Sequence, residues 1–376
     1  MLPFAPMTFA LLSERGSPRI PVPHGEYNFN NTHSEAPNST TPTRPASNYT
    51  LVDLYNSKNF FSEFAFFKDS DPTHGFVKYV DYQTANNTGL IGYVPDGVKL
   101  GVDAINNIST TATGRNSVRV TSKKNYTEGL FIADIYHMPS GLYDPGDNDN
   151  NNNNKVSARD TQDYKTSSCG LWPAFWTFGP DWPASGEIDI LEGVNTQVNN
   201  SITLHSAGTS GNGKKSKDQG GTCDISSSGS ATDTNLTEPN CASDTGCKQD
   251  TTGGYSSTDS KAEKHSGNTT TATTTTTKTN KDATVHAPVD PSNFGTPLAA
   301  FVFDKGCSLS DRFKDHNIVF NTAFCGDWAG KVWDENAECK AKAATCKDYV
   351  AHNPASFKEA YWVVNSIKVY QLRRKK

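Results

Sequence analysis

Three carboxylates fall within six residues of the segment Gly186-Glu187-Ile188-Asp189-Ile190-Leu191-Glu192-Gly193, with apolar residues filling the gaps between them. A short apolar run of this kind predicts a strand, and in a strand Glu187 and Asp189 share a face. Glu192 lies an odd number of steps from Glu187, so a regular strand would turn it the other way. One β-bulge inside the segment restores it to the same face. The two glutamates are then about four strand steps of ~3.3 Å apart, or roughly 13 Å between Cα atoms. Side chains that each lean ~4 Å inward leave a carboxyl gap of roughly 5 Å. That is the spacing of glycosidases that retain anomeric configuration, and it is too small to seat the water that inverting enzymes need. The chemistry expected is a double displacement, with Glu187 as nucleophile and Glu192 as acid/base. Asp189, between them, is expected to orient the nucleophile and, by its negative charge, to keep Glu192 protonated, the three titrating as a coupled set.

Read alone, three acids in six residues equally describe a solvated strand face. The aromatic residues just upstream, Trp172, Phe175, Trp176 and Trp182, favour the chemical reading, because aromatic faces hold pyranose rings. Trp176 and Trp182 are candidates for the cleft, and Trp172 is expected in the core.

Composition narrows the setting. A formal net charge of -5 and no basic stripe argue against a nucleic-acid partner. The eight cysteines, Cys169, Cys223, Cys241, Cys247, Cys307, Cys325, Cys339 and Cys346, lack paired zinc spacing and read as disulfides. Cys339 with Cys346 and Cys241 with Cys247 are close enough to form small loops. Acceptors of the form Asn-x-Ser/Thr begin at Asn30, Asn38, Asn48, Asn86, Asn107, Asn125, Asn199, Asn235 and Asn268. Cysteines and acceptors together suggest an oxidising, glycosylating route and a secreted or wall-associated protein. The leader itself is weak: Met1 to Leu12 is apolar, but Pro3 and Pro6 interrupt it and no Lys or Arg precedes it. No apolar run approaches the ~20 residues of a membrane span.

Positioning the acids requires a sheet, and the sequence supplies many short strands. Ser117–Ser122 and Tyr361–Tyr370 alternate apolar and polar residues, and shorter runs recur at Leu130–Ile135, Ile188–Leu191, Ile202–His205 and Asn317–Phe320. With almost no long helical period, an all-β sandwich of antiparallel sheets follows. One short helix is expected between Pro354 and Tyr361. Residues 1–47 read as a leader and a Pro/Ser/Thr/Asn-rich disordered linker, 48–372 as one catalytic domain and 373–376 as a basic tail. Low-complexity insertions fall near 142–167 and 256–289. The Asp/Asn run Asp144–Asn154 reads as a loop, since it lacks the ordered ligand spacing of a calcium site.

The stretch C-G-L-W-P-A-F-W-T-F-G-P-D-W-P-A-S-G-E-I-D-I-L-E-G-V-N from Cys169 resembles the catalytic strand of glycoside hydrolase family 16, the fungal laminarinase-type endo-1,3(4)-β-glucanases. Supporting stretches are D-P-T-H-G-F-V from Asp71, G-L-F-I-A-D-I from Gly129, F-K-D-H-N-I-V-F from Phe313, F-C-G-D-W-A-G from Phe324 and Y-W-V-V-N-S-I-K-V-Y from Tyr361. The resemblance implies a β-jelly-roll with a concave cleft and endo-acting, retaining hydrolysis of β-1,3- and mixed β-1,3/1,4-glucans. It implies His205 beside the acids, with Trp328 and Asp327 lining glucan subsites. It implies no required cofactor and no catalytic metal; some relatives carry a structural calcium, whose ligands this sequence does not place. A monomer acting on β-glucan is expected. Where relatives continue past Gly253-Gly254-Tyr255 with further strands, this chain has the Thr-rich run and rejoins the pattern at Asp290, so some central strands are expected to be missing. Two other readings stand beside hydrolysis: a non-catalytic glucan-binding or wall-associated protein on the same fold, and a wall glucan transglycosylase.

Overall fold

The period-two runs fold as strands in a computed structural model, which describes residues 8–12, 49–95, 97–139, 168–197, 199–207, 234–238, 241, 246–251, 289, 291, 294, 299–301 and 309–372. The first half carries β1 (Thr8–Leu12), β2 (Tyr49–Asn56), α1 (Phe60–Glu63), β3 (Phe64–Phe66), β4 (Val77–Tyr79), α2 (Tyr82–Asn87), β5 (Ile91–Val94), β6 (Gly97–Gly101), β7 (Arg115–Ser117), β8 (Arg119–Tyr126) and β9 (Leu130–His137). The second half carries β10 (Leu171–Phe178), β11 (Glu187–Glu192), β12 (Ser201–His205), β13 (Thr234–Glu238), β14 (Cys247–Thr251), α3 (Leu309–Arg312), β15 (His316–Phe324), α4 (Ala337–Lys340), α5 (Cys346–His352) and β16 (Tyr361–Leu372).

Two sheets face each other. The larger runs β13-β14-β12-β11-β10-β15-β8-β3, and the smaller runs β1-β9-β16-β6-β5 with β2 also paired to β16. Pairing is antiparallel except for β1 with β9 and β4 with β7. The sheets close on a shared core in which Phe175 of β10 stacks on Phe320 of β15 at 4.4 Å, and Trp362 of β16 meets Phe320 edge-on at 5.4 Å. The Trp362 indole N–H donates to the Asn321 carbonyl at 3.1 Å, so the ring is buried without orphaning its donor. Truncating such a ring costs about 3–5 kcal/mol.

A second apolar cluster caps one end, where Phe324, Trp333, Tyr349, Val350 and Phe357 pack together. Fully buried Arg115 ties this cap to the strands: Nε and Nη2 donate to the Val350 carbonyl, and Nη1 donates to the carbonyls of Asp103 and Asn106. Two disulfides do the same covalently. Cys169, just before β10, bonds Cys339 of α4, and Cys325, just after β15, bonds Cys346 of α5. The short Cys339–Cys346 loop is therefore not formed, because the two cysteines lie on different helices and each bonds a cysteine at the end of a different strand. Cys241 and Cys247 do pair; Cys223 and Cys307 lie outside the described residues.

Two further expectations need adjustment. Within the stretch read as leader and linker, Thr8–Leu12 forms an edge strand in parallel register with Leu130–Asp134, its apolar β-forming residues completing the edge of β9. The helix expected from Pro354 is a single 3-10 turn over Pro354–Phe357, while α5 forms just before it. Thr345 accepts from the Asp348 N–H and so caps α5. The Asp/Asn run, the Thr-rich run and the basic tail lie outside the described residues. Among the described residues no helix is long and apolar enough to cross a membrane.

Candidate active site

Strand β11 begins after Gly186, whose φ of +80° and close backbone packing (a Cβ would lie 2.4 Å from the Arg312 carbonyl oxygen) admit only glycine. The loop before it, carrying Trp182, is pinned by the hydrogen bond from Gly179 N–H to Gly186 O and by His316, whose Nε2–H donates to the Ser185 carbonyl at 2.7 Å. Burial pushes the His316 imidazole down to about 4, so it serves as a neutral donor.

The register of β11 against β10 pairs Glu187 with Phe178, Asp189 with Trp176, Leu191 with Phe175 and Glu192 with Ala174. Ile190 is left without a partner, which is the bulge that parity required. Its consequence is visible in burial: Ile190 and Leu191 both enter the core, and Glu187, Asp189 and Glu192 share the opposite face. A bulge leaves ladder groups unpaired, and here Asn200 takes them over. Its Oδ1 accepts from the Glu192 N–H at 2.9 Å, and its Nδ2 donates to the Ile190 carbonyl at 2.8 Å. No sequence signal singled out Asn200.

On the acid face His205 stands in register opposite Glu187, its Nε2 lying 3.5 Å from Asp189 Oδ2 and 4.0 Å from Glu187 Oε1. Burial and the Lys248 cation bring this imidazole down to about 4, so it is neutral. The three carboxyls all move up. Burial and the neighbouring Glu192 raise Glu187 to about 8, although a hydrogen bond from the Trp182 indole, the Arg119 charge and a hydrogen bond from Asp189 oppose the rise. Burial raises Glu192 to about 7 against the Trp172 hydrogen bond and Lys248. Asp189, only 2% exposed and flanked by both glutamates, is pushed well above the carboxylate range by burial first. Three acids this close disfavour one another's ionised forms, and the hydrogen bond between Asp189 and Glu187 raises Asp189 while it lowers Glu187, the pattern of a proton shared from the Asp189 side. A proton on Asp189 would make it a donor to the Glu187 carboxylate, in place of the negative charge expected to act on Glu192.

The aromatic residues surround this trio. Trp172 faces the acids rather than the core alone, its indole N–H donating to Glu192 Oε1 at 2.8 Å. The alternation that puts Ala174 opposite Glu192 also carries Trp172 to the acid face, so this contact was within reach of the sequence. Trp176 lies beside Asp189, its indole bound to Asn321 Oδ1 at 2.7 Å, and Asn321 in turn donates to the Tyr79 hydroxyl. Arg119, sandwiched against Phe67, Trp176 and Phe178, brings a buried cation to the same side. Trp182 is 52% exposed on its loop. Trp328 meets Trp172 edge-on at 5.7 Å. Asp327 stands apart from the acids on the half-exposed rim, held by His74 Nδ1 at 2.7 Å and Lys331 Nζ at 3.2 Å. Lys248, Arg119 and Asn321 were not foreseen. The grouping of Glu187, Asp189 and His205, with ligand atoms within 4.8 Å of one another, is the one set among the described residues that could hold a cation. Its hydrogen-bonded, partly protonated carboxyls fit proton transfer directly.

The chain is similar to known proteins over most of its length. A family profile described as the XgeA-like, catalytic GH16 domain matches residues 64–143 and 148–370. A probable endo-1,3(4)-beta-glucanase of Aspergillus fumigatus is 36% identical over 344 residues, 87% of this chain and 46% of that protein. The endo-1,3(4)-beta-glucanase of Arthroderma benhamiae is 36% identical over 343 residues, 87% of this chain and 65% of that protein. This chain thus spans about half the length of the first of these curated relatives. Among solved structures, GH16 laminarinase 16A from Phanerochaete chrysosporium, with β-glucans in donor and acceptor sites, matches at 31% identity and a TM-score of 0.64, covering 86% of this chain and 99% of that one. An elongating GH family 16 beta-1,3-glucosyltransferase matches at 32% identity and a TM-score of 0.61, covering 86% of this chain and 100% of that one. With its bulged acid strand, its aromatic wall and most of its length matched, the chain belongs to the XgeA-like catalytic domains of glycoside hydrolase family 16.

Proposed function

We propose that this domain cuts β-1,3- and mixed β-1,3/1,4-glucan chains internally, with retention at the anomeric carbon. One observation carries the reading: the bulge at Ile190 sets Glu187 and Glu192 on one face of one strand, within electrostatic reach of each other. The Glu187 carboxylate, supported by the Asp189 proton and the Trp182 indole, attacks the anomeric carbon as the glycosidic C–O bond breaks. Glu192 gives its proton to the leaving oxygen. Glu192, now a carboxylate, then takes a proton from a water that attacks the same carbon, and Glu187 is released. Protein carboxyls and water balance both steps, so the reaction needs no cofactor.

The glucan reading draws on the relatives' activity and on the aromatic wall of Trp172, Trp176, Trp182 and Trp328. The disulfides among the described residues suit an oxidising environment, which favours a secreted or wall-associated enzyme. Transfer to a second glucan in place of water is a second reading, favoured by the match to the glucosyltransferase. The test incubates purified protein with laminarin, lichenan and chitin beside Glu187→Gln and Glu192→Ala. New reducing ends from laminarin or lichenan, absent in both variants, and a first-formed β-anomer by NMR are expected. An α-anomer, or full activity in Glu187→Gln, refutes the mechanism. Products longer than the substrate favour transfer.

A further inference from the structure

Lys248 sits on β14, two strands away from the acids yet in their row: Asp189 pairs with Thr203, and Thr203 pairs with Lys248, so all three project from the same face. On β13 the position opposite Lys248 belongs to Glu238. The Lys248 ammonium lies 5.2 Å from the centroid of the Trp328 ring. Trp328 meets Trp172 edge-on, at 5.7 Å and 90°. Trp172 in turn donates its indole N–H to Glu192 Oε1 at 2.8 Å. Each contact in this series ends one step closer to the acid/base.

The last contact matters because of what an indole can do. It has one N–H and no acceptor, so it binds an oxygen that offers a lone pair. In the protonated Glu192 the better acceptor is the carbonyl-type oxygen, and the oxygen that receives the indole is Oε1. The acidic proton is therefore on Oε2, the oxygen that remains for the substrate. If the Trp172 ring turns away, either oxygen can carry the proton and Glu192 loses a defined direction of delivery.

We propose that Lys248 is a positioning residue for acid catalysis, holding Trp328 against Trp172 so that Trp172 fixes the proton of Glu192 on the oxygen facing the leaving group. The proposal rests on the acid/base role given to Glu192 above. The neighbouring supports cannot replace the lysine. Trp328 sits on the helical turn Gly326–Gly330, where Asn195 Nδ2 donates to the Ala329 carbonyl and the Cys325–Cys346 disulfide anchors the start, but both hold its backbone and neither touches the Trp328 ring.

Leaving-group dependence separates this role from simple binding or folding. The purified full chain and its Lys248→Met and Lys248→Arg variants are assayed on laminarin, whose leaving sugar needs a proton, and on 2,4-dinitrophenyl β-laminaribioside, whose phenolate leaves without one. For Lys248→Met we expect kcat on laminarin to fall about 10-fold with KM within about twofold, and the rate of dinitrophenolate release to stay within about twofold. Lys248→Arg, which keeps a cation over the ring, is expected to recover most of the laminarin rate. Equal losses on both substrates, an unchanged laminarin rate, or no recovery with Arg would overturn the proposal. Wild-type protein that cuts neither substrate would remove the reading of the site itself, and the proposal with it.

Discussion

Replacing Glu192 by Gln should remove catalysis and, above neutral pH, make the protein more stable. Burial raises the Glu192 carboxyl from 4.5 to about 7. The folded state thus binds this proton more tightly than the unfolded chain does. Below about pH 4.5 both states hold the proton and the group is neutral in the balance. As pH rises towards 7 the unfolded chain releases it first, so stability falls; above about 7 the full cost of a buried carboxylate is present. At 1.36 kcal/mol per tenfold, the interval corresponds to roughly 3 kcal/mol. Gln has no proton to lose, and its side-chain oxygen still accepts from the Trp172 indole. It also removes the charge that raises Glu187 and Asp189. Urea unfolding with disulfides intact should therefore give matching stabilities near pH 4.5 and a gap of about 3 kcal/mol in favour of Glu192→Gln at pH 8, while glucan hydrolysis falls about 10²–10⁴-fold. Parallel pH dependence in the two proteins refutes the argument that burial loads this acid with its proton.

Asn200→Ala orphans the Glu192 N–H and the Ile190 carbonyl together, and a loss of about 3 kcal/mol in urea unfolding is expected, with activity falling further than the unfolded fraction explains. Asp189→Asn keeps a donor towards Glu187, whereas Asp189→Ala does not; kcat should fall less for Asn than for Ala, and the reverse order contradicts the protonated-donor role. Gly186→Ala forces a Cβ to within 2.4 Å of the Arg312 carbonyl oxygen at a φ of +80°, for an expected loss of about 3 kcal/mol by thermal denaturation.

The acid strand was readable in detail because two constraints act on the same six residues. Ile188, Ile190 and Leu191 must reach the core and the acids must not, and only an extra residue reconciles them. What parity cannot supply is the repair of the bulge. Asn200 comes from the residue just before the next strand, and nothing local distinguishes it from the other asparagines. Lys248 was hidden for a similar reason, since its place in the acid row exists only once β12 pairs with both β11 and β14. Trp172 was misjudged from composition, where tryptophan usually means core; its alternation with Ala174 and Trp176 was the better guide. Closeness in sequence found the Cys241–Cys247 bond but misled for Cys339 and Cys346, where helices intervene and Cys169 meets Cys339 across 170 residues. The strand Thr8–Leu12 lay in a stretch read as leader, where its apolar run had a simpler explanation.

The two bonds from the helical cap land at Cys169 and Cys325, three residues before Trp172 and three before Trp328. Oxidation thus fastens the segments that carry Trp172 and Trp328 to the cap, while the acid strand is held by its pairing with β10 and β12 and by the side chain of Asn200. A chain with free thiols would lack these two covalent ties, and Glu192 would meet Trp172 on a segment held by its strand pairing alone.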